Sequence, residues 1–231
     1  MKKNKEKAVA EKAVTLKTKR LCLTALTDGE IEALIAAQDD DELRAAYTEM
    51  LEGCRQHPEE RLWYAPWGIR LKKEPQTVIG DACFKGPPQR GAVELGYGLN
   101  EPYRGQGYMT EAARVLAEWA LYQNDVYFLY AETAPDNTAS QRVLDKLGFK
   151  PCGEGEEGPR FLLEKQPTSF LAIYLCIGMS IGMSIGTAQG SIGIGMSIGM
   201  LLGVCLGLAL DRQEKAHRAE VTGRAEKEEA L

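Results

Sequence analysis

Histidine is nearly missing from this chain: His57 and His217 are the only two in 231 residues. A histidine-activated serine or cysteine needs its base within hydrogen-bond reach, and neither histidine lies near a candidate nucleophile in the sequence. No G-x-S-x-G elbow or Walker A loop is present either. The six cysteines (22, 54, 83, 152, 176 and 205) form no C-x-x-C pair and no short ligand spacing, so no zinc site is expected. The net charge of −5 argues against a nucleic-acid partner, whose footprint is a basic face. Lys2, Lys3, Lys5, Lys7 and Lys12 crowd the start, but no apolar stretch follows them. A flexible solvated arm over 1–13 is expected rather than a secretory signal, and with it reduced thiols. Charge itself is missing from one long segment. The 42 residues Ser169–Leu210 contain no Asp, Glu, Lys, Arg or His.

What is present ahead of that segment is a mixed α/β pattern. Thr15–Leu26 alternates polar and apolar residues and reads as a strand. Thr27 with Glu30 fits a capping box, followed by an apolar stripe at Ile31, Leu34 and Ile35. A second helix is expected over Asp40–Arg55, stopping before His57-Pro58. The period then becomes two: Trp67–Leu71, Thr77–Phe84 and Ala92–Leu99 are expected strands, separated by turn material at Lys72–Pro75 and Gly86–Pro88. A helix from about Gly107 to Gln123, a strand at Val126–Thr133, a helix at Asn137–Leu147 closed by Gly148, and strands near Phe149–Cys152 and Arg160–Glu164 complete it. The order β-α-α-β-β-β-α-β-α-β-β over residues 14–166 is long enough to bury its own core.

The stretch that carries chemistry is Val93–Ala112: a strand, a glycine-bearing loop Arg104-Gly105-Gln106-Gly107, then a helix. The first backbone N–H groups of a helix lack internal partners and face the positive end of its dipole, which suits an anion such as a pyrophosphate. Gly105 and Gly107 leave no Cβ between that backbone and a ligand. A second match to a phosphate fingerprint, Gly153-Glu154-Gly155-Glu156-Glu157-Gly158, carries three glutamates and precedes no helix, so it reads as a polar loop.

With Arg104, Gly107 and the slot at Met109, this loop resembles the signature of the GNAT N-acetyltransferase superfamily, although Met109 stands where the family carries a small residue. Asp136–Phe149 resembles the family's second signature. Leu16–Leu21, Glu94–Tyr97 and Gly107–Ala112 are most similar to the branch of the ribosomal-protein N-terminal acetyltransferases. Three separated blocks in the right order cover roughly residues 14–165. The resemblance implies a GNAT-type mixed sheet with flanking helices and acetyl-CoA as co-substrate, without a metal. It places the coenzyme between the strands Ala92–Leu99 and Val126–Thr133. Tyr97, Gly98 and Leu99 would line the pantetheine arm. Arg104, Gly105, Gln106, Gly107, Tyr108, Met109 and Thr110 would hold the pyrophosphate, and Asn137 and Ser140 would also contact the coenzyme.

The chemistry the family performs is direct attack of a neutral amine on the thioester, which suits a chain without an activated nucleophile. Glu94, on the cofactor-side strand, is the candidate base, acting through water; alternatively it faces solvent or pairs with a nearby cation. Backbone N–H groups near Tyr97 or Gly98 are candidates for the oxyanion. Many relatives use a late tyrosine to protonate the leaving thiolate, and Leu144 occupies that slot here. The role falls to Ser140, to Tyr130 by a different geometry, or to solvent. The acceptor is a primary amine, either a protein N-terminus or a small molecule. The other reading is an inactive fold that binds coenzyme A or acts as a scaffold.

The uncharged segment holds nine of the 24 glycines. Gly178, Gly182, Gly186 and Gly190, then Gly195, Gly199, Gly203 and Gly207, recur every fourth residue, with Thr187–Ser191 as a turn between the runs. Small residues at this spacing let helix backbones approach, and each run of about 19 residues approximates a bilayer span. A glycine-zipper helical hairpin over 169–210 crossing a membrane twice is expected, or alternatively one that self-associates as a homo-oligomer in solution. Lys165 on one flank and Arg212, Lys215 and Arg218 on the other lead to the expectation that both ends, and the catalytic domain, lie in the cytoplasm at a membrane, or alternatively that the whole chain is cytoplasmic. Residues 211–231 form a charged tail, expected to be helical.

Overall fold

The structure, a computed structural model, describes residues 14–228, with side chains for 14–221. The basic arm expected over 1–13 lies outside the described residues. The chain divides between Glu164 and Lys165 into two compact units.

The first unit is an eight-stranded sheet: β1 (Thr15–Lys17), β2 (Leu21–Ala25), β3 (Trp67–Leu71), β4 (Glu74–Phe84), β5 (Ala92–Leu99), β6 (Phe128–Glu132), β7 (Lys150–Glu154) and β8 (Pro159–Glu164). The spatial order is β1-β2-β3-β4-β5-β6-β8-β7. Every neighbouring pair is antiparallel except β5 and β6, which run parallel and so need the helical crossover between them. That crossover is α4 (Tyr108–Tyr122). The remaining helices are α1 (Asp28–Ala37), α2 (Asp41–Gln56), the single turn α3 (Arg61–Tyr64) and α5 (Thr138–Leu147).

Local chemistry sets the helix ends. The Thr27–Glu30 capping box is formed in full, and Asp40 caps α2 through the N–H groups of Glu42 and Leu43. Gly148 closes α5 in the left-handed conformation, at φ +89°. The expected first strand is broken in two. Thr18 hydrogen-bonds Leu21, and the N–H of Arg20 turns aside to the Glu111 carboxylate, so Thr18–Arg20 form a corner instead of ladder.

Alternation along the strands divides the residues between two faces. Ala82 and Phe84 of β4, with Val93 and Leu95 of β5, pack with Ala112, Ala113 and Leu116 of α4 and Leu144 of α5. Trp63, Trp67, Phe84 and Trp119 form an aromatic group at one end of this core, with ring centroids 4.9 to 5.8 Å apart. Each buried large apolar side chain contributes roughly 1.5–3 kcal/mol. Asp81 and Cys83 alternate with these core residues and face the opposite side, where Ile31 of α1 and Tyr47, Leu51 and Cys54 of α2 make a second, smaller core.

The second unit is a helical hairpin, α6 (Phe170–Ala188) and α7 (Ile192–Glu228). A Cβ on Gly182 would lie 3.0 Å from the Gly199 Cα, and one on Gly178 would lie 3.1 Å from the Gly203 Cα. The glycines therefore set the contact between the helices. Asp211 Oδ1 accepts a 2.8 Å hydrogen bond from the N–H of Phe170, so α7 caps the start of α6. Ile181, Ile185, Ile194, Ile198, Leu201 and Leu206 point outward and are exposed.

Candidate functional site

The pairing of β5 with β6 stops early. Ala92, Val93 and Glu94 match Phe128, Leu129 and Tyr130, and there the parallel ladder ends. Beyond it β5 continues to Leu99 paired only with β4, while β6 continues to Glu132 paired only with β8. The two strands part in a wedge, and Leu95–Leu99 have no ladder partner on the β6 side. A row of free backbone groups at an inner strand edge is an invitation to an extended ligand.

At the mouth of the wedge the chain turns through Glu101–Tyr103 into Arg104–Gly107 and enters α4. Gly105 and Gly107 both lie in the left-handed region, at φ +73° and +77°. No side chain caps α4, so the N–H groups of its first turn are directed outward at the positive end of the helix. The glycines here are required by backbone conformation more than by crowding: a Cβ on Gly105 would meet nothing within 4 Å. Arg104 turns its Nε back onto the Leu99 carbonyl at 2.9 Å. Met109 points into the core and is buried, so the first turn of α4 accommodates it in place of a small residue.

The loop is tied to the β1–β2 corner by Arg20, which the motif reading leaves unassigned. Its Nη1 donates to the Gln106 carbonyl at 3.1 Å, its Nε pairs with Glu111 Oε2 at 2.7 Å, and its guanidinium lies 4.4 Å from the centre of the Tyr108 ring. Burial alone would raise the Glu111 carboxyl, but hydrogen bonds from Thr18 and from Arg20, with the Arg20 charge, hold it below its ordinary value. A cavity of about 430 Å³ flanks the loop, lined by Lys17, Arg20, Thr110 and Arg114. It is bounded by β1, its corner and α4, and takes no residue from β5 or β6.

Two groups of polar side chains border the wedge. On the α4–α5 side, Asn137 caps α5 by accepting from the N–H of Ser140 at 3.0 Å, and Tyr97 Oη lies 2.9 Å from Ser140 Oγ. Burial raises the Tyr97 hydroxyl, offset in part by Ser140. Leu144 is fully buried. On the α1–α2 side, Glu94 Oε1 pairs with Lys85 Nζ at 2.5 Å, and Lys85 also holds Glu157 at 2.9 Å. Burial works against the Lys85 charge, yet its two carboxylate partners keep the ammonium well above the usual lysine range. Glu94 and Ser140 thus border the wedge from opposite faces of the sheet. Tyr130, the cross-strand neighbour of Glu94, is covered by Arg160 at 4.2 Å. Gly153–Gly158 is the tip of the β7–β8 hairpin, closed by Gly155 N–H to the Gly158 carbonyl at 2.8 Å.

Asp81 and Tyr47 belong to neither signature. Tyr47 Oη donates to Asp81 Oδ1 at 3.0 Å. Burial pushes the Asp81 carboxyl up to about 6, although the Tyr47 bond acts the other way. Burial likewise pushes the Cys83 thiol up to about 12. An acid inside the apolar run Val78–Phe84 is the sequence signal for this pair.

A family model described as an acetyltransferase (GNAT) domain matches residues 20–150, and one described as a glycine zipper membrane protein matches residues 164–213. A relative from Bacillus subtilis strain 168, the uncharacterized N-acetyltransferase YjdG, is 39% identical over 82 residues. That segment is 35% of this chain and 49% of YjdG, so the chain spans about half the relative's length. Among solved structures, the ribosomal-protein-S5-alanine acetyltransferase of Vibrio fischeri aligns at a TM-score of 0.55 with 17% identity, covering 66% of this chain and 97% of that one. RimL, a ribosomal L7/L12 α-N-protein acetyltransferase solved with coenzyme A, aligns at 0.53 with 17% identity, covering 65% and 98%. At such identities these structures establish likeness of fold.

Proposed function

The chain belongs to the acetyltransferase (GNAT) family, and from that premise we propose that it transfers acetyl from acetyl-CoA to a primary amine while its C-terminal hairpin tethers it to a membrane. The observation that carries this reading is the wedge between β5 and β6 opening onto the Gly105–Gly107 loop. A free strand edge for the pantetheine amides thereby leads to a helix N-terminus for the pyrophosphate. The residues fit the coenzyme in kind: Tyr97, Gly98 and Leu99 lie along the free edge, and Gly105–Thr110 present the unpartnered N–H groups. Arg104 braces the turn through Leu99 and is two-thirds exposed, free to reorient toward phosphate.

Acetyl-CoA supplies an activated thioester, and the chain supplies position and proton movement. As the new N–C bond forms, the amine's proton passes through water to Glu94, which Lys85 holds in place. As the C–S bond breaks, Ser140 Oγ gives a proton to the departing sulfur and is resupplied through Tyr97 Oη and solvent. Leu144 cannot take this part because it carries no acidic proton and is buried. Protein N-termini and small-molecule amines are both admitted as acceptors.

Membrane attachment rests on the hairpin. Both helices are long and apolar enough to cross a bilayer, and the outward faces are isoleucine, leucine and methionine. Lys165 before α6 and Arg212, Lys215 and Arg218 beyond the apolar part of α7 favour two cytoplasmic ends, and so a cytoplasmic first unit.

The test is calorimetric titration of acetyl-CoA into the full chain in detergent, then release of coenzyme A thiol over a panel of amines. Micromolar binding with thiol release is expected. Binding without release across the panel would turn the reading to a coenzyme-binding scaffold, and no binding would remove it. Flotation of the full chain with liposomes checks the membrane part; a chain left in the soluble fraction would refute it.

A further inference from the structure

One carboxylate on the α1–α2 face has no evident structural reason to be there. Asp81 sits in the middle of β4, and its cross-strand neighbours are both glycines, Gly68 on β3 and Gly98 on β5. On the β3 side the Leu26 side chain and the Arg70 guanidinium fold over Gly68, where a Cβ would lie 3.0 Å from Arg70 Nη1, whereas a Cβ built on Gly98 would meet nothing within 4 Å, so the β5 side is open. Tyr47 Oη is its hydrogen-bond partner, and no cation pairs with it among the described residues. Glu94 on the same face differs, since its charge is already met by Lys85. A half-buried acid without a paired counter-charge is costly, and such groups gather where a ligand supplies the missing charge.

Its position agrees with that. Asp81 pairs in register with Gly98, inside the Leu95–Leu99 stretch that borders the wedge. One strand spacing, about 4.8 Å, separates its backbone from that edge. We propose that Asp81, oriented by Tyr47, is the anionic subsite that receives the acceptor's ammonium group beside the thioester. The inference rests on the transferase reading and deepens it: the acceptor enters as a cation, with its charge met at Asp81 before the proton leaves toward Glu94.

The surroundings favour an acceptor of modest basicity. Tyr47 from α2 and Cys83 from β4 face Asp81, with Lys85 and Glu94 further along the same face; β5 contributes Gly98, and β3 contributes Gly68 with the Arg70 guanidinium above it, whose charge is met by Glu30 of α1 at 2.5 Å. Both hydroxyl and thiol stay neutral, so neither takes the proton. An ammonium bound there must lose it against its own pKa. An α-amino group titrates at about 7.7–8.0 and a lysine side chain at about 10.4. The neutral fraction at working pH is thus several hundredfold larger for the former, and a peptide α-amine is the acceptor class this subsite serves best.

The experiment measures steady-state thiol release by the full chain in detergent, with a short peptide bearing a free α-amine as acceptor and acetyl-CoA saturating. Asp81→Asn keeps the shape and can still meet Tyr47. It is expected to raise the acceptor KM at least tenfold while the acetyl-CoA Kd stays within twofold. Tyr47→Phe, acting only through the orientation of Asp81, is expected to raise KM severalfold. In the wild type the acceptor KM is expected to climb as pH falls through about 6, and in Asp81→Asn that climb is lost. An unchanged KM in both variants, with turnover intact, overturns the subsite and leaves the transferase standing. Absence of thiol release by the wild type with every amine tried overturns both. If Asp81→Asn does not fold, Tyr47→Phe decides alone: an unmoved KM sinks the proposal.

Discussion

Arg20 Nε lies 2.7 Å from Glu111 Oε2, and through this pair a corner near the start of the fold grips the first turn of α4. The same guanidinium reaches the Gln106 carbonyl, so one side chain joins the β1–β2 corner, the glycine loop and the helix that follows. The pair is partly exposed, and its contribution to stability is on the order of 1 kcal/mol or less. Its larger effect is on loop geometry. Arg20→Ala is expected to weaken acetyl-CoA binding about tenfold while the melting temperature, read from tryptophan fluorescence, falls by only a few degrees. The Glu111 carboxyl is held below its ordinary 4.5, so its contribution to stability is full above that pH and is lost as pH falls through the lowered value. The melting gap between wild type and Glu111→Gln should accordingly close in acid. A gap unchanged at low pH would assign the effect to packing.

Gly107 stands at φ +77° as the residue before α4. A left-handed conformation costs an ordinary residue about 1–2 kcal/mol, and a β-branched one more. Gly107→Val should therefore rotate the loop out of the left-handed region and abolish measurable acetyl-CoA binding, while far-UV circular dichroism stays native. Undiminished binding would refute the assignment of the loop.

Much of this was legible in the residues, for physical reasons that also explain the remainder. Thr27-x-x-Glu30, Asp40, Asn137 and Gly148 are local devices, and each acts where the sequence places it. The wedge is different in kind: nothing in Ala92–Leu99 alone says that its pairing with β6 ends at Glu94, because that depends on where two distant strands diverge. The corner at Thr18–Arg20 depends on Glu111, 91 residues from Arg20, and reads from sequence as unbroken strand. The Tyr47–Asp81 bond joins a helix to a strand 34 residues away and leaves only an acid among apolar neighbours as its trace. The glycine runs, by contrast, announce their contacts directly, since period four is the geometry of the helix face.

Glu94 and Lys85 make a separable prediction. Glu94→Gln removes the proposed proton acceptor but leaves the free strand edge intact. Turnover at neutral pH is expected to fall about 10²–10⁴-fold, the usual range for a general base, with the acetyl-CoA Kd within twofold. Lys85→Met should cost less, since it loosens Glu94 and Glu157 without removing either. Equal losses in turnover and coenzyme binding would remove Glu94 from the proton path.

Asp81 makes a prediction about stability that does not depend on turnover. Its carboxyl is raised to about 6 from an ordinary 3.8, so the ionised form burdens the fold at every pH above that range. The burden fades as pH falls through 6 and is absent below 3.8. It amounts to roughly 1–3 kcal/mol at neutral pH, the lower end applying where solvent still reaches the carboxylate. Asp81→Asn should therefore melt a few degrees higher than wild type at pH 7.5 and equal to it near pH 4. A variant less stable than wild type at pH 7.5 would show that the charge supports the fold.

Closure of the hairpin depends on the glycines rather than on apolarity. Within a bilayer the lipid is as apolar as leucine, so helices associate through close packing and not through exclusion from water. Here a Cβ on Gly199 would lie 2.8 Å from the Gly182 Cα, closer than real contacts allow, and the backbones would have to separate. Gly199→Leu adds apolar surface, so membrane insertion should persist while the hairpin opens. Spin labels on Cys176 and Cys205, with the other four cysteines replaced, report this directly. A single short distance is expected in the wild type, and a longer, broader distribution in Gly199→Leu. If the distance is unchanged and flotation with liposomes is lost instead, the glycines serve insertion, and the packing account fails.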